Sequence, residues 1–365
     1  MTFENASRNR NVNIYIFQHI IMSTIRDVAE LARVSTATVS RVINSPAKVS
    51  AGTRDRVQQA MQACRYNYNA LARGFVTKKS DTIGLIVPAI TNPIFAESTR
   101  GVQDFANDNG YQVILGNSYY QYENEVKLIK VLRERRVEGL LITTTDLKGR
   151  ILQSLLDDRF PFVLLYSTVR KGPMSSVGVD NFLGGYRAAE HLIQLKHRRI
   201  AMLAGGFHFS DRSFHRWHGY KRCLRTHQIP YDPDLVLQTQ YSLVSGREGA
   251  KSLLGRNDPP TAIFCSNDYL AIGAMEGAQD LSLQVPGDLS IVGFDDMEIA
   301  SFITPGLSTI RQPAYTMGKL GVEILLNHIK DQGPGAVHKI LETSLVVRNS
   351  TARAPLKKKR PREKR

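Results

Sequence analysis

Cysteine is scarce in this chain: Cys64, Cys223 and Cys265 are the only three in 365 residues, far apart and without paired spacing. That excludes a disulfide-stapled secreted framework and fits a reduced cytoplasm. Long apolar runs are missing too. The nearest approach, VNIYIFQHIIM at residues 12–22, is too short to cross a bilayer and contains Asn13, Gln18 and His19, so no membrane span is expected. A secretory leader is a poor reading, because Arg8 and Arg10 lead into that weak run and no small-residue cleavage site follows. Met22 reads as the working start, with 1–21 as an extra segment. Also absent are a Walker sequence, a nucleotide-binding glycine fingerprint after the first strand, a Gly-x-Ser-x-Gly elbow and a His-Glu-x-x-His pair. No enzyme and no cofactor is expected. Six of the nine histidines, His191, His197, His208, His215, His218 and His227, fall in one region. Without cysteine or acidic partners at ligand spacing they do not read as a metal site.

What the chain has in excess is positive charge, +15 overall, and its location matters. Residues 22–81 hold 10 Lys/Arg against 4 Asp/Glu, residues 353–365 hold 8 against 1, and residues 82–352 are balanced at 28 against 27. A basic segment with helical patterning is the electrostatic footprint of a nucleic-acid binder. The final stretch, 351–365 with its LKKKRPREKR, reads as a disordered solubilising tail.

Residues 22–66 read as three short helices. Ser23 or Thr24 can cap the first, with Ile25, Val28, Ala29 and Ala32 as its apolar stripe; Ser35 can cap the second; Ser50 can cap the third, which carries Val57, Met61 and Cys64 on one face. In the second, STATVSRVIN, the apolar Val39, Val42 and Ile43 turn inward, leaving Thr36, Ala37, Ser40, Arg41 and Asn44 outward. Small side chains plus one arginine let that backbone approach something large and negatively charged. Two helices joined by a tight turn and closed by a third make a helix-turn-helix, whose second helix enters the major groove. Residues 67–81 form a basic linker. Beyond it, strand patterns (TIGLIVP, QVILGN, GLLIT, FVLLY, SVGVD, RIAMLAG, AIFCSND, LSIVGFDD) alternate with amphipathic segments such as 100–109, 123–135, 182–195, 246–254 and 269–280. Such alternation implies parallel sheets covered by helices, and its length favours two successive α/β subdomains.

The blocks TIRDVAELARVSTATVSRVIN, VSAGTRDRVQQAMQACRYNYNALARGF, IGLIVPAITNPIFAESTRGVQDFANDNGYQVILGN, GVDNFLGGYRAAEHLIQLKHRRIAMLAG, SNDYLAIGAM and VPGDLSIVGFDDMEIASFITPGLSTIRQP follow one another at fixed spacing. Together they closely resemble the lactose and purine repressor family of bacteria over about residues 23–350. The resemblance implies an N-terminal all-α helix-turn-helix domain, a hinge and a periplasmic-binding-protein-like α/β core of two doubly wound parallel-sheet subdomains. In the core, 82–181 with 312–341 would form one subdomain, and 182–311 with 342–350 the other. It also implies a homodimeric repressor on pseudo-palindromic double-stranded operator DNA, switched by a small effector. Thr36 and Ala37 would choose base pairs and Arg41 would contact guanine, with Ser40 and Asn44 on the same face. Ser50, Thr53, Tyr66 and Asn69 would hold phosphates. In the hinge NALARGF, Ala72 and Phe75 would face the minor groove, with Phe75 as the wedge where leucine is usual. Arg33 stands at a turn where glycine is common, a mild strain if that site needs positive φ.

By the same resemblance the effector would meet Asn267, Asp295 and Gln312, which follow strand patterns, with Arg216 on its oxygens, Arg212 as a further candidate, and Phe95 and Tyr241 as flat cover. Open α/β subdomains bind ligands at the carboxyl ends of their strands. Two arginines near one aspartate favour a sugar, a sugar acid or a phosphorylated sugar. Asp296 reads instead as a helix cap. The alternative reading, a sugar-binding or transport receptor without a DNA role, does not account for the basic helical head. No leucine heptad follows residue 350, so no coiled-coil tetramer is expected. If Arg41 reads a base, Arg41→Ala lowers specific operator affinity by about 1–3 kcal/mol while nonspecific binding stays nearly intact. Mobility-shift titrations on operator and scrambled DNA check this; equal losses on both would remove Arg41 as a reader.

Overall fold

The computed structural model describes residues 23–66, 80–208, 210–331 and 335–355. The hinge residues Asn69, Ala72 and Phe75, the leading segment 1–21 and the basic stretch 356–365 lie outside the described residues. The chain divides into two units, Met1–Lys79 and Ser80–Arg365.

In the first unit, Thr24 closes a capping box with Asp27 and starts α1 (Ile25–Leu31); Ser35 accepts from the Thr38 amide and starts α2 (Thr36–Asn44). The next turn is a 3-10 helix, Pro46–Lys48, and α3 (Ala51–Ala63) completes the head. Ser50 precedes α3 but does not cap it through its side chain: its hydroxyl donates to Thr53 Oγ1 at 3.0 Å. The core is Val28, Ala29, Ala32, Val39, Val42, Val57 and Ala60. Each buried valine contributes about 1.5–3 kcal/mol, so the globule is small and its caps matter. Arg33 does adopt positive φ, 52°, at the turn between α1 and α2. That left-handed turn returns the Val34 amide to the Ala29 carbonyl at 2.9 Å and sets the angle at which α2 leaves α1.

The second unit holds two six-stranded sheets. The first contains β1 (Thr82–Val87), β2 (Gln112–Asn117), β3 (Leu140–Ile142), β4 (Phe162–Leu165), β5 (Ser175–Val179) and β11 (His338–Leu341), in the order 2-1-3-4-5-11, all parallel. The second repeats the plan with β6 (Ile200–Gly205), β7 (Val236–Thr239), β8 (Ala262–Cys265), β9 (Ser290–Asp295), β10 (Ser308–Arg311) and β12 (Ser344–Val346), in the order 7-6-8-9-10-12, where only β12 is antiparallel. Helices α4 (Pro93–Asp108), α5 (Tyr122–Glu134), α6 (Arg150–Asp157) and α12 (Ala314–Ile329) serve the first sheet; α7 (Asn181–Gln194), α8 (Asp211–Thr226), α9 (Leu243–Leu254) and α10 (Asp268–Asp280) serve the second, with a single turn, α11 (Ile299–Phe302), after β9. Each sheet carries a separate apolar core on each face. The chain passes between the sheets after β5, after β10 and after β11.

Three helix pairs approach closely through reciprocal glycines. A Cβ on Gly101 of α4 would meet the Tyr315 carbonyl of α12 at 2.1 Å, one on Gly219 of α8 the Phe182 carbonyl of α7 at 2.0 Å, and one on Gly273 of α10 the Leu243 carbonyl of α9 at 2.1 Å. Two features of this unit differ from the sequence reading. Helix α4 starts at Pro93, with Asn92 as its cap, seven residues before the expected segment. Residues 351–355, expected to open a disordered tail, are bonded into the second subdomain instead: Ala354 N donates to the Leu195 carbonyl at 2.8 Å, and Thr351 and Ala352 bond His191 and His197.

Those histidines generate a pH dependence. Burial holds both below the ordinary imidazole value; the charge of His197 adds to this at His191, while the Ala352 carbonyl partly opposes it at His197. A histidine unfolds to a pKa of about 6.5, so between that value and its lower folded value the unfolded chain binds more protons. Stability is therefore full above about pH 6.5 and is lost as pH falls. Urea midpoints at neutral and mildly acidic pH should drop for the parent chain and drop less for His191→Gln with His197→Gln; parallel curves would contradict the assignment.

Candidate operator-reading head and effector cleft

On the head, Thr36 and Ala37 are exposed in the first turn of α2 and Arg41 is exposed one turn on, while Ser40 is half-buried. Ala37 and Arg41 share a face at i, i+4 spacing, as do Thr36 and Ser40. Asn44 ends α2; its side chain lies outside the description. Ser50 is exposed and Thr53 partly so, at the start of α3. Tyr66 is half-buried against the head core rather than standing free.

In the core unit, the carboxyl ends of both sheets face one another across a narrow cleft of about 20 Å³. One wall comes from the first subdomain. Asn92 caps α4, with Ile94 and Phe95 behind it; Tyr120 follows β2 and Tyr166 follows β4. Phe95 and Tyr166 meet edge to face with centroids 5.0 Å apart, and the Tyr166 hydroxyl donates to the Ile94 carbonyl at 2.8 Å. The other wall comes from the second subdomain. Arg212 and Arg216 share one face of α8, Tyr241 follows β7, Asn267 caps α10 after β8, Asp295 ends β9, and Gln312 follows β10. Tyr120 and Tyr241 touch across the gap at 5.2 Å, and Tyr269 donates to the Thr91 carbonyl at 2.8 Å, so the two walls are in contact.

The polar groups divide into committed and free. Arg216 is buried and held by the protein: Nε donates to Asn181 Oδ1 at 2.8 Å, a terminal nitrogen bonds the Ser266 carbonyl, and the guanidinium lies 3.5 Å from the Phe294 ring centroid. Asp295 accepts from Gln312 Nε2 at 2.6 Å and stands 3.8 Å from Arg216. Burial pushes its pKa up to about 6 against the attraction of Arg216 and the Gln312 bond. Its φ of 124° is strained for a side-chain-bearing residue, at a cost of about 1–3 kcal/mol. Arg212 is buried as well, yet among the described residues its two terminal nitrogens have no hydrogen-bond partner; Asp211 Oδ1 stands 3.6 Å away. Gln312 Oε1 is likewise unpartnered. Asn267 spends its carboxamide oxygen on the Leu270 amide at 3.0 Å.

Asp296 is not a helix cap. The next helix, α11, is preceded by Glu298 and has no side-chain cap. Asp296 instead pairs with Arg311 at 2.5 Å and Arg348 at 2.7 Å, at the ends of the strands where the chain crosses between subdomains.

Residues 24–69 match the lacI family of bacterial regulatory proteins, and residues 189–351 match the periplasmic binding protein-like domain. The repressor PurR of Aliivibrio salmonicida is 36% identical over 85% of this chain and 93% of its own length. The repressor CytR of Escherichia coli is 33% identical over 91% and 97%. The chain belongs to the lacI family. Its fold matches the lac repressor dimer bound to operator and the anti-inducer ONPF with a TM-score of 0.82, at 31% identity over 90% of this chain and 99% of that one. A regulator CelR in complex with cellobiose matches at 0.69, with 29% identity over 90% of this chain and 99% of that chain. As a lacI-family member this protein is a DNA-binding transcriptional regulator under allosteric control by a small molecule, and its relatives are regulators rather than enzymes.

Within this lacI-family core, every effector candidate read from sequence lines the one cleft: Phe95, Arg212, Arg216, Tyr241, Asn267, Asp295 and Gln312. Asn92, Ile94, Tyr120 and Tyr166 line it too and escaped the sequence reading. The signal for Tyr166 was its place directly after the strand FVLL. The Asp296 clamp predicts that Asp296→Asn lowers stability by about 1.5–3 kcal/mol, since it removes a charged acceptor from two arginines. Urea denaturation checks this; an unchanged midpoint would assign the clamp no weight.

Proposed function

We propose that this regulator is a cytoplasmic homodimeric repressor whose cleft takes a sugar derivative bearing a carboxylate or phosphate. The observation that supports the anionic class is Arg212. A buried guanidinium with idle donors is costly, and a carboxylate or phosphate answers its planar fork with two parallel hydrogen bonds. Asp295 and Gln312 Oε1 then offer acceptors to hydroxyls, and Phe95, Tyr120 and Tyr241 offer flat cover to a sugar ring. Arg216 acts as scaffold for Asp295 rather than as the first contact.

For DNA, Thr36, Ala37, Ser40, Arg41 and Asn44 would face the major groove, with Ser50, Thr53, Tyr66 and Asn69 on phosphates and Ala72 and Phe75 in the hinge. The homodimer reading draws on the lac repressor dimer and on an apolar face of the second subdomain. There Ile272, Met275 and Ile303 line a recess beside Ile299 and Phe302, the latter 74% exposed. No described helix is long and apolar enough to cross a membrane.

Calorimetric titration with an aldonic or uronic acid, and with the neutral sugar of the same skeleton, tests the class. The parent chain should prefer the acid by about tenfold or more, a difference of about 1.4 kcal/mol. Arg212→Gln should erase the preference, and Asp295→Ala should erase binding of both while operator affinity persists. A neutral sugar bound as tightly as its acid would overturn the reading.

A further inference from the structure

The inner face of α8 carries Arg212 and Arg216 to the cleft; its outer face does something else. Lys221, Arg222 and Arg225 project there within about one turn, and among the described residues none of them has a carboxylate partner. Of the nearby carboxylates, Glu190 stands 3.9 Å from His227, and Asp232 3.2 Å from Arg199. Beside these cations the surface is apolar. Phe182 at the start of α7 is 41% exposed and Phe214 of α8 is 38% exposed. Phe182, the three cations, and Ile229 to Tyr231 bound an open groove of about 730 Å³. It runs past Ile229 and Pro230 into a second recess edged by Lys196 and Arg198, where Asp232 and Asp258 are both paired with Arg199.

We propose that this groove docks an acidic amphipathic segment of another protein, a second input distinct from both effector and operator. Apolar side chains of the partner would cover Phe182 and Pro230, and its carboxylates would meet Lys221 and Arg225. Charge excludes the occupants nearest to hand. Residues 356–365 carry seven Lys/Arg against one Glu, so this chain's own tail is repelled. A second copy placed symmetrically would bring the same cations together. Single-stranded nucleic acid needs free ring faces. Here Trp217 is stacked on Phe207 at 5.1 Å, and Lys221 Nζ sits 4.4 Å from Trp217 and 4.7 Å from Tyr231. A phosphate backbone would also leave Phe182 and Phe214 in water.

Trp217 is the chain's one tryptophan, so its emission reports on the groove. The probe is a short fluorescent-labelled acidic peptide with Leu and Phe at helical spacing, followed by both Trp217 emission and label anisotropy on the full-length protein. Controls are the same peptide with Lys for Glu, one with Ser for Leu and Phe, and oligothymidylate. Saturable binding of the acidic apolar peptide alone is expected. Lys221→Glu with Arg225→Glu should weaken it about tenfold or more, Phe182→Ser should weaken it, and operator affinity and effector response should stay unchanged. No saturable binding, equal binding by the charge-reversed variant, or equal or tighter binding of the Lys peptide or oligothymidylate would overturn the proposal.

Discussion

A cation taken wholly out of water has to be satisfied from every side, and Arg216 is the residue around which the second subdomain meets that demand. Its guanidinium draws in the Asn181 side chain from the first crossing between subdomains, the Ser266 carbonyl from the end of β8, the Phe294 ring and, at longer range, Asp295 from the end of β9. Burial works against its charge and Asp295 supports it. Asp295 itself sits at a strained φ of 124°, where it pairs with Arg311 in the β9–β10 ladder and accepts from Gln312. Remove that guanidinium and the cleft wall, the crossing and the strained corner lose a common anchor.

The corner has two outputs because adjacent residues leave it in different directions. Asp295 faces the cleft and takes the Gln312 amide; Asp296, at φ 56°, clamps Arg311 and Arg348. Gln312 follows Arg311 directly, so the second crossing is gripped by one aspartate at each of two consecutive residues. Behind them Asp268, buried and held above the ordinary carboxylate range by desolvation and by the charge of Asp295, takes the Thr309 hydroxyl at 2.6 Å and the Met297 amide at 2.9 Å. A ligand that changes the charge balance at Asp295 thus acts on groups already bonded to the strands that join the subdomains.

Much of this architecture was legible from local chemistry. Buried parallel strands such as GLLIT and FVLLY are continuous apolar runs, and Ser35 before Thr36 marks a helix start with a mechanism behind it. The misses have physical causes. β7, β11 and β12 are short, half-exposed edge strands, whose residues carry no alternation strong enough to stand out from loop. The start of α4 was signalled by Asn92 before Pro93, but its first turn is apolar on the side that faces the cleft, which blurred the amphipathic pattern. Asp296 read as a helix cap, because its partners Arg311 and Arg348 meet it only in the folded chain. The cleft residues split the same way. Those following an evident strand could be placed, whereas the division between Arg216 as scaffold and Arg212 as free donor depends on which neighbours fold against each.

That division bears on how a regulator of this kind can be switched. A ligand shifts an equilibrium only by its differential affinity for the two states. Arg216 is satisfied by its own subdomain and has little to gain from a ligand, while Arg212 and Gln312 Oε1 leave polar capacity unused in the closed cleft. The first wall offers mainly aromatic rings and the α4 cap, so in the proposed site an effector held by Arg212 and Asp295 on one side and covered by Phe95 and Tyr120 on the other would be bound fully only when the walls meet. Its binding energy would therefore work on the angle between subdomains, and the Asp295–Asp296 corner, at positive φ in two consecutive residues and bonded to the crossing strands, is where the cleft meets that crossing.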